Sequence, residues 1–162
     1  KVDVSKGAYV ISDDEETAIV FIATGSEVNL ALEAAKILRE SGVGVRVVSM
    51  PSQELFLEQD YDYQDSVLPP DCMCYVSIEA GSTFGWHRFI GRDGLAIGLD
   101  HFGASAPYKV LAKEFGFTPE GVIERIKDHF ICSEEDDDCG CGCGCEDDDC
   151  GCGDCGCEHD HK

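Results

Sequence analysis

After Ile131 the chain contains no apolar side chain except cysteine, and that break decides how much of it can build a hydrophobic core. Residues 132–162 consist of Cys, Gly, Asp, Glu and His, with one Ser and the final Lys162. Nothing there offsets the entropy of ordering the backbone, and six glycines raise that cost. The expectation is a tail that stays disordered unless a metal or oxidation closes it. Residues 1–131 suffice for one core of ordinary size. The sequence therefore predicts two domains, a globular body over 1–131 and an acidic Cys/Gly-rich low-complexity tail over 132–162.

Charge divides along the same line. Of the formal −21, the tail carries −11 and the body −10, so neither part is basic. Binding to nucleic acid needs a Lys/Arg surface facing phosphate, and none can be assembled here. No apolar run approaches the roughly 20 residues that span a bilayer, so a soluble chain without a membrane partner is expected. Lys1 is not an initiator methionine, and the polar opening runs straight into a strand-like Tyr9-Val10-Ile11. The expectation from this is a piece of a longer polypeptide.

Within the body, strand-like and helix-like segments alternate. Ala18 to Ala23 is a short continuous apolar run, the pattern of a strand buried on both faces. Thr24-Gly25-Ser26 ends it, and Glu27 to Glu40 has helical spacing, with Val28, Ala31, Leu32, Ala35 and Leu38 on one side. Ser26 can cap this helix, or Thr24 can do so with Glu27 completing a capping box, and Gly42 suits its end. Val43 to Met50 predicts a second strand, Ser52 to Leu68 one or two short helices, Cys72 to Ile78 a third strand and Gly94 to Leu99 a weaker fourth. Helices are predicted over Ala106 to Phe115, with Pro107 in the first turn, and Thr118 to Phe130, with Pro119 at the first helical position. Such alternation argues for a mostly parallel sheet covered on both faces, and Tyr9 to Ser12 can add an edge strand. Cys72 and Cys74 are read as two small buried side chains on one sheet face.

The residues between these elements carry a resemblance. Val20-Phe-Ile-Ala-Thr-Gly-Ser-Glu-Val28, Val45-Arg-Val-Val-Ser-Met-Pro51, Val67-Leu-Pro69, Glu79-Ala-Gly81 with Gly85-Trp-His87, Phe102-Gly-Ala-Ser-Ala-Pro107 and Glu114-Phe-Gly-Phe-Thr118 resemble, in order and spacing, the third, C-terminal domain of transketolases. Lys6 to Ser12 resembles the segment that opens this domain, and the likeness covers about residues 6–130. It implies an α/β fold, three-layer α/β/α, with a five-stranded mixed sheet whose first strand is antiparallel. It implies membership of a homodimeric enzyme that moves a two-carbon ketol unit between sugar phosphates, using thiamine diphosphate and a divalent cation such as Mg. In that family the cofactor lies between the first two domains, so the preceding domains are the implied partners, and cytoplasm and plastid both remain open as compartments. No Gly-Asp-Gly occurs here, and Arg92-Asp93-Gly94 lacks the first glycine and the ligand that should follow. No catalytic or cofactor-binding residue is therefore carried over, no cofactor is expected in this chain, and the chain alone should not turn over.

Three groups in the body look chemical. Thr24, Gly25 and Ser26 follow a strand and open a helix, so their amides form a weak anion-site candidate. A capped helix start is the favoured reading, because Glu27 in the first turn repels an anion. Trp86-His87-Arg88 beside Glu79 invites a catalytic reading, yet no nucleophile or second acid pairs with it, so packing or subunit contact is expected. Asp100, His101 and Ser105 contain the letters of a hydrolase triad without the Gly-x-Ser-x-Gly elbow that would position the serine.

The tail has a chemistry of its own. Glu135 to Gly142 repeats as Glu146 to Gly153, and Cys139, Cys141, Cys143, Cys145, Cys150, Cys152, Cys155 and Cys157 form four Cys-x-Cys units followed by His159 and His161. Alternating cysteines on a Gly-rich backbone can wrap thiolates around Zn(II), Cd(II) or Cu(I), as in metallothioneins, which the tail resembles in spacing only. The competing readings are a low-complexity repeat expansion without selected function and an oxidised disulfide cluster.

Overall fold

The computed structural model describes residues 3–130. The metal-site candidates from Cys139 to His161 lie outside the described residues. Five strands form one sheet in the order β1-β3-β2-β4-β5: β1 (Tyr9–Ser12), β2 (Ile19–Ala23), β3 (Val45–Ser49), β4 (Cys74–Ile78) and β5 (Leu95–Ile97). β1 runs antiparallel to β3, and all the other pairings are parallel. The expected mixed, mostly parallel sheet with Tyr9–Ser12 as an antiparallel edge is the one observed.

All five residues of β2 are buried, because it lies at the centre of the sheet between β3 and β4. The pleat sends Ile19, Phe21 and Ala23 to one face and Val20 and Ile22 to the other, which makes two cores. The first is covered by α1 (Glu27–Glu40) and α6 (Pro119–Phe130) through Ala31, Ala34, Ala35, Leu38, Val122 and Ile126. The second is covered by α2 (Gln53–Leu57), α3 (Tyr61–Val67) and α4 (His87–Ile90), which bring Phe56, Val67 and Ile90, with Trp86 at the head of α4. A last helix, α5 (Tyr108–Glu114), follows β5 and buries none of its residues.

Local signals mostly did what their chemistry predicts. Gly42, at φ +83°, ends α1 with its amide donating to the Arg39 carbonyl, while the Val43 amide donates to Leu38. Thr118 Oγ1 accepts from the Gly121 amide at 3.1 Å, so Pro119 opens α6 behind a side-chain cap. The cap expected at α1 does not form. Ser26 is already helical in its backbone and its hydroxyl donates to Glu27 Oε1 at 2.8 Å, leaving the Thr24 backbone carbonyl to receive the Glu27 amide. The buried stripe of α1 also turns slightly, with Ala34 inside and Val28 and Leu32 half-buried.

Several boundaries contract. The fourth parallel strand is only Leu95–Ile97, α5 starts at Tyr108 with Pro107 before it, and β4 starts at Cys74. Cys72 and Cys74 are therefore not a buried pair on one face. Both are half-buried, Cys72 beside the Val20 core and Cys74 beside the Phe21 core. Cys72 lies outside the strand, where the period-two rule that would align it with Cys74 does not apply.

The amino edge of the parallel strands is closed by two aspartates from the β1–β2 connection. Arg46 Nε and Nη2 donate to the two oxygens of Asp13, each at 2.8 Å, and Arg46 Nη1 reaches the Ser66 carbonyl at the end of α3 at 2.9 Å. Asp14 Oδ2 accepts from Arg39 Nε at 2.7 Å and from the Val45 amide at 2.8 Å, joining the end of α1 to the start of β3. The Arg46 hydrogen bonds hold the Asp13 carboxyl below its ordinary range, and for Asp14 the Val45 amide does so first and Arg39 second. Gly44 is needed at this edge because a Cβ there would strike the Glu16 carbonyl oxygen.

Asp13→Asn is expected to lower the unfolding free energy by about 1 kcal/mol at pH 7, a figure that allows for solvent screening of a half-exposed pair. A depressed folded-state pKa gives stability that is present above the unfolded value and lost as pH falls through the folded one. Urea denaturation should thus show the gap between wild type and variant closing once the pH drops below the ordinary aspartate range. Gly44→Ala should cost roughly 2 kcal/mol or more, since backbone must move to admit the methyl group. Ser77 on β4 is 1% exposed and its Oγ has no hydrogen-bond partner among the described residues. Thermal melts should show Ser77→Ala more stable than wild type, by about 1 kcal/mol, because an unsatisfied buried hydroxyl is removed.

Candidate functional site at the carboxyl edge of the sheet

Open α/β sheets bind ligands outside the carboxyl ends of their parallel strands, where successive connections leave in opposite directions. Here β3 lies on one side of β2 and β4 on the other, so that edge gathers the turn at Thr24–Ser26, the β3–α2 link, the loop after β4 and the loop after β5. Thr24 is half-buried and Gly25 and Ser26 are exposed, with Gly25 at φ +58°. The Glu27 carboxylate lies beside this turn, bonded to Ser26, and supplies the negative charge that works against an anion at the same amides.

The loops after β4 and β5 are held together by hydrogen bonds. The Glu79 amide donates to the Ile97 carbonyl, and the Leu99 amide to the Gly81 carbonyl. Asp100 then acts as a clip: Oδ1 accepts from the Thr83 amide at 2.9 Å and Ser82 Oγ at 3.1 Å, while Oδ2 accepts from Thr83 Oγ1 at 2.7 Å. The hydrogen bonds from Thr83 keep the Asp100 carboxyl below its usual range, so at neutral pH it is an acceptor and not a proton donor. These bonds also take Asp100 out of the triad that its neighbours suggested, and the His101 Nδ1 contact is the Phe102 carbonyl at 2.8 Å.

Trp86 is 3% exposed, and its Nε1 donates to Glu79 Oε2 at 2.6 Å. The ring packs edge-on to Phe89, so Glu79 and Trp86 fix the start of α4 against the second core. His87 and Arg88 are both exposed, and His87 Nδ1 is 3.4 Å from the Gly91 carbonyl. The Trp86-His87-Arg88 group thus divides into a buried packing residue, an exposed imidazole and an exposed guanidinium. The Asp100 clip was missed in the sequence because Ser82-Thr83 and Asp100 belong to loops about 17 residues apart, which no local motif connects.

Among the described residues, no group of three or more His, Cys, Asp or Glu side chains is placed to hold a metal ion. No Gly-Asp-Gly occurs in the chain. The described helices include none long and apolar enough to cross a membrane.

Comparison with known proteins gives the fold its family. Residues 7–118 match the model of the transketolase-like TK C-terminal domain. A chloroplastic transketolase of Craterostigma plantagineum is 51% identical over 128 residues, covering 77% of this chain and 25% of that relative. Transketolase-1 of Arabidopsis thaliana, also chloroplastic, is 50% identical over 130 residues, covering 78% and 18%. The solved transketolase of Leishmania mexicana superposes with a TM-score of 0.71 at 44% identity, covering 78% of this chain and 18% of that one. The chain thus spans about a quarter or less of the length of these relatives, and it belongs to the transketolase family through its C-terminal domain.

Proposed function

We propose that residues 1–131 serve as the structural and subunit-packing C-terminal domain of a transketolase, without bearing its thiamine diphosphate site. The observation that carries this reading is the match over 7–118 to a domain that is a quarter or less of each relative. In this reading the complete enzyme is a homodimer that transfers two-carbon ketol units between sugar phosphates, with thiamine diphosphate and a divalent cation such as Mg held by the preceding domains. The chloroplastic relatives favour the plastid over the cytoplasm.

The test is a fusion in which the full chain replaces the C-terminal domain of the Craterostigma enzyme. The expected result is a dimer with ketol-transfer activity, while the chain alone neither turns over nor binds thiamine diphosphate in calorimetry. A fusion no more active than the relative truncated before this domain overturns the proposal.

A second reading concerns the tail and rests on its four Cys-x-Cys units. In it the chain is a stand-alone, non-catalytic domain whose thiolates bind soft metal, and eight thiolates suffice for two tetrahedral sites without bridging. Titrating the reduced full chain with Cd(II) should produce thiolate-to-metal charge-transfer absorption that saturates near two equivalents. Replacing the eight tail cysteines by serine should abolish it. Silence of the wild-type chain at micromolar metal leaves a repeat without metal chemistry.

A further inference from the structure

Between Arg46 and Arg88 the chain contains no Lys or Arg, and this is the stretch that builds α2 and α3. Glu54, Glu58, Asp60, Asp62 and Asp65 fall on these two helices and the turn between them, and all five are exposed. An open groove of about 520 Å³ lies between the pair and α4. The rings of Phe56 and Phe89, with centroids 6.2 Å apart, form its apolar base, and Tyr61 stands on its rim at 82% exposure. Asp60 and Asp65 line it with them, Asp65 one helical turn beyond Tyr61 on the same side of α3. Asp60 Oδ1 accepts from the Tyr63 amide at 2.8 Å, while its other oxygen and both oxygens of Asp65 accept no hydrogen bond among the described residues. Arg88 is the one cation of the lining, and among the described residues it forms an ion pair with neither aspartate.

Free carboxylate oxygens beside an exposed aromatic ring are what a guanidinium needs. The same helix already shows the aromatic half of this chemistry, because Lys6 Nζ lies 3.8 Å from the centroid of the Tyr63 ring. We infer that the groove docks an exposed segment of a partner protein that carries an arginine beside an apolar residue. The guanidinium stacks on Tyr61 and donates to Asp60 and Asp65, while the apolar neighbour covers Phe56 and Phe89. Arginine suits this better than lysine, since its planar, weakly hydrated fork can stack and donate at once. The volume is of the size that encloses a whole small ligand, more than one guanidinium fills, and this selects a peptide segment over the free amino acid. The single sign of charge on α2 and α3 selects a basic partner, because a second copy of the same face would be repelled.

Chemical-shift titration of the full chain with the capped tetrapeptide Gly-Arg-Leu-Gly, at physiological ionic strength, tests the groove. Amides of 57–65 and 88–89 should shift and saturate. Lysine in place of the arginine should weaken binding, and citrulline, its neutral isostere, should weaken it further. Tyr61→Ser should raise the dissociation constant roughly fivefold and Asp65→Asn roughly threefold. Both variants should melt at the wild-type temperature, because both side chains are exposed. Glu114→Gln removes an exposed acid beside Phe115, which packs on the opposite face of the sheet, and should leave the constant unchanged. Equal weakening by Glu114→Gln, or shifts that spare 57–65, would reveal general attraction to a chain of charge −21 and overturn the groove. Equal affinity for free arginine overturns the peptide occupant. Absence of any saturable shift at millimolar peptide overturns the proposal outright.

Discussion

The central strand sets the terms for everything around it. With every residue of Ile19–Ala23 buried, β2 must pair on both sides and be roofed on both faces. Each large side chain so buried contributes on the order of 2 kcal/mol only if its cover is complete. α1 supplies one roof immediately, and its three buried alanines leave room for the helix to lie low on Phe21 and Val47. The other roof is assembled from three short helices, α2 and α3 on the chain's way across β2 from β3 to β4, and α4 on its way from β4 to β5.

The two ends of the sheet are finished by different chemistry. At the amino ends, Arg46 and Arg39 are drawn onto Asp13 and Asp14 from strand and helix, and that end is closed by charge. At the carboxyl ends the connections extend outward and are tied to one another through Asp100 and the Gly81 carbonyl. The first arrangement resists opening of the sheet. The second holds the loops after β4 and β5 together through hydrogen bonds.

Much of this was legible in the sequence. Continuous apolar runs gave β2, β3 and β4, since a strand covered on both faces needs no polar alternate, and Gly42 and Pro119 marked helix ends through local backbone chemistry. What was not legible depended on distance. The Asp100 clip and the Asp13 and Asp14 pairs join residues from separate loops and elements, and their partners are chosen by the finished fold. The misplacement of Cys72 had a subtler cause: Cys-Met-Cys continues the apolar run of β4, but the backbone leaves the sheet one residue before Cys74. At Thr24–Ser26, composition identified the turn correctly, while the bond from Ser26 to Glu27 emerged only from geometry.

The margins of the sheet bear on how such a domain behaves when it is handled as a separate polypeptide. β1 pairs with β3 out of step between Val10 and Ser12, so its outer rim is kinked, and β5 at the opposite margin is three residues long. Neither margin offers the long flat row of free amides and carbonyls on which a stray strand can add. Exposed aromatic side chains elsewhere can therefore seek a partner without the sheet itself seeding cross-β growth.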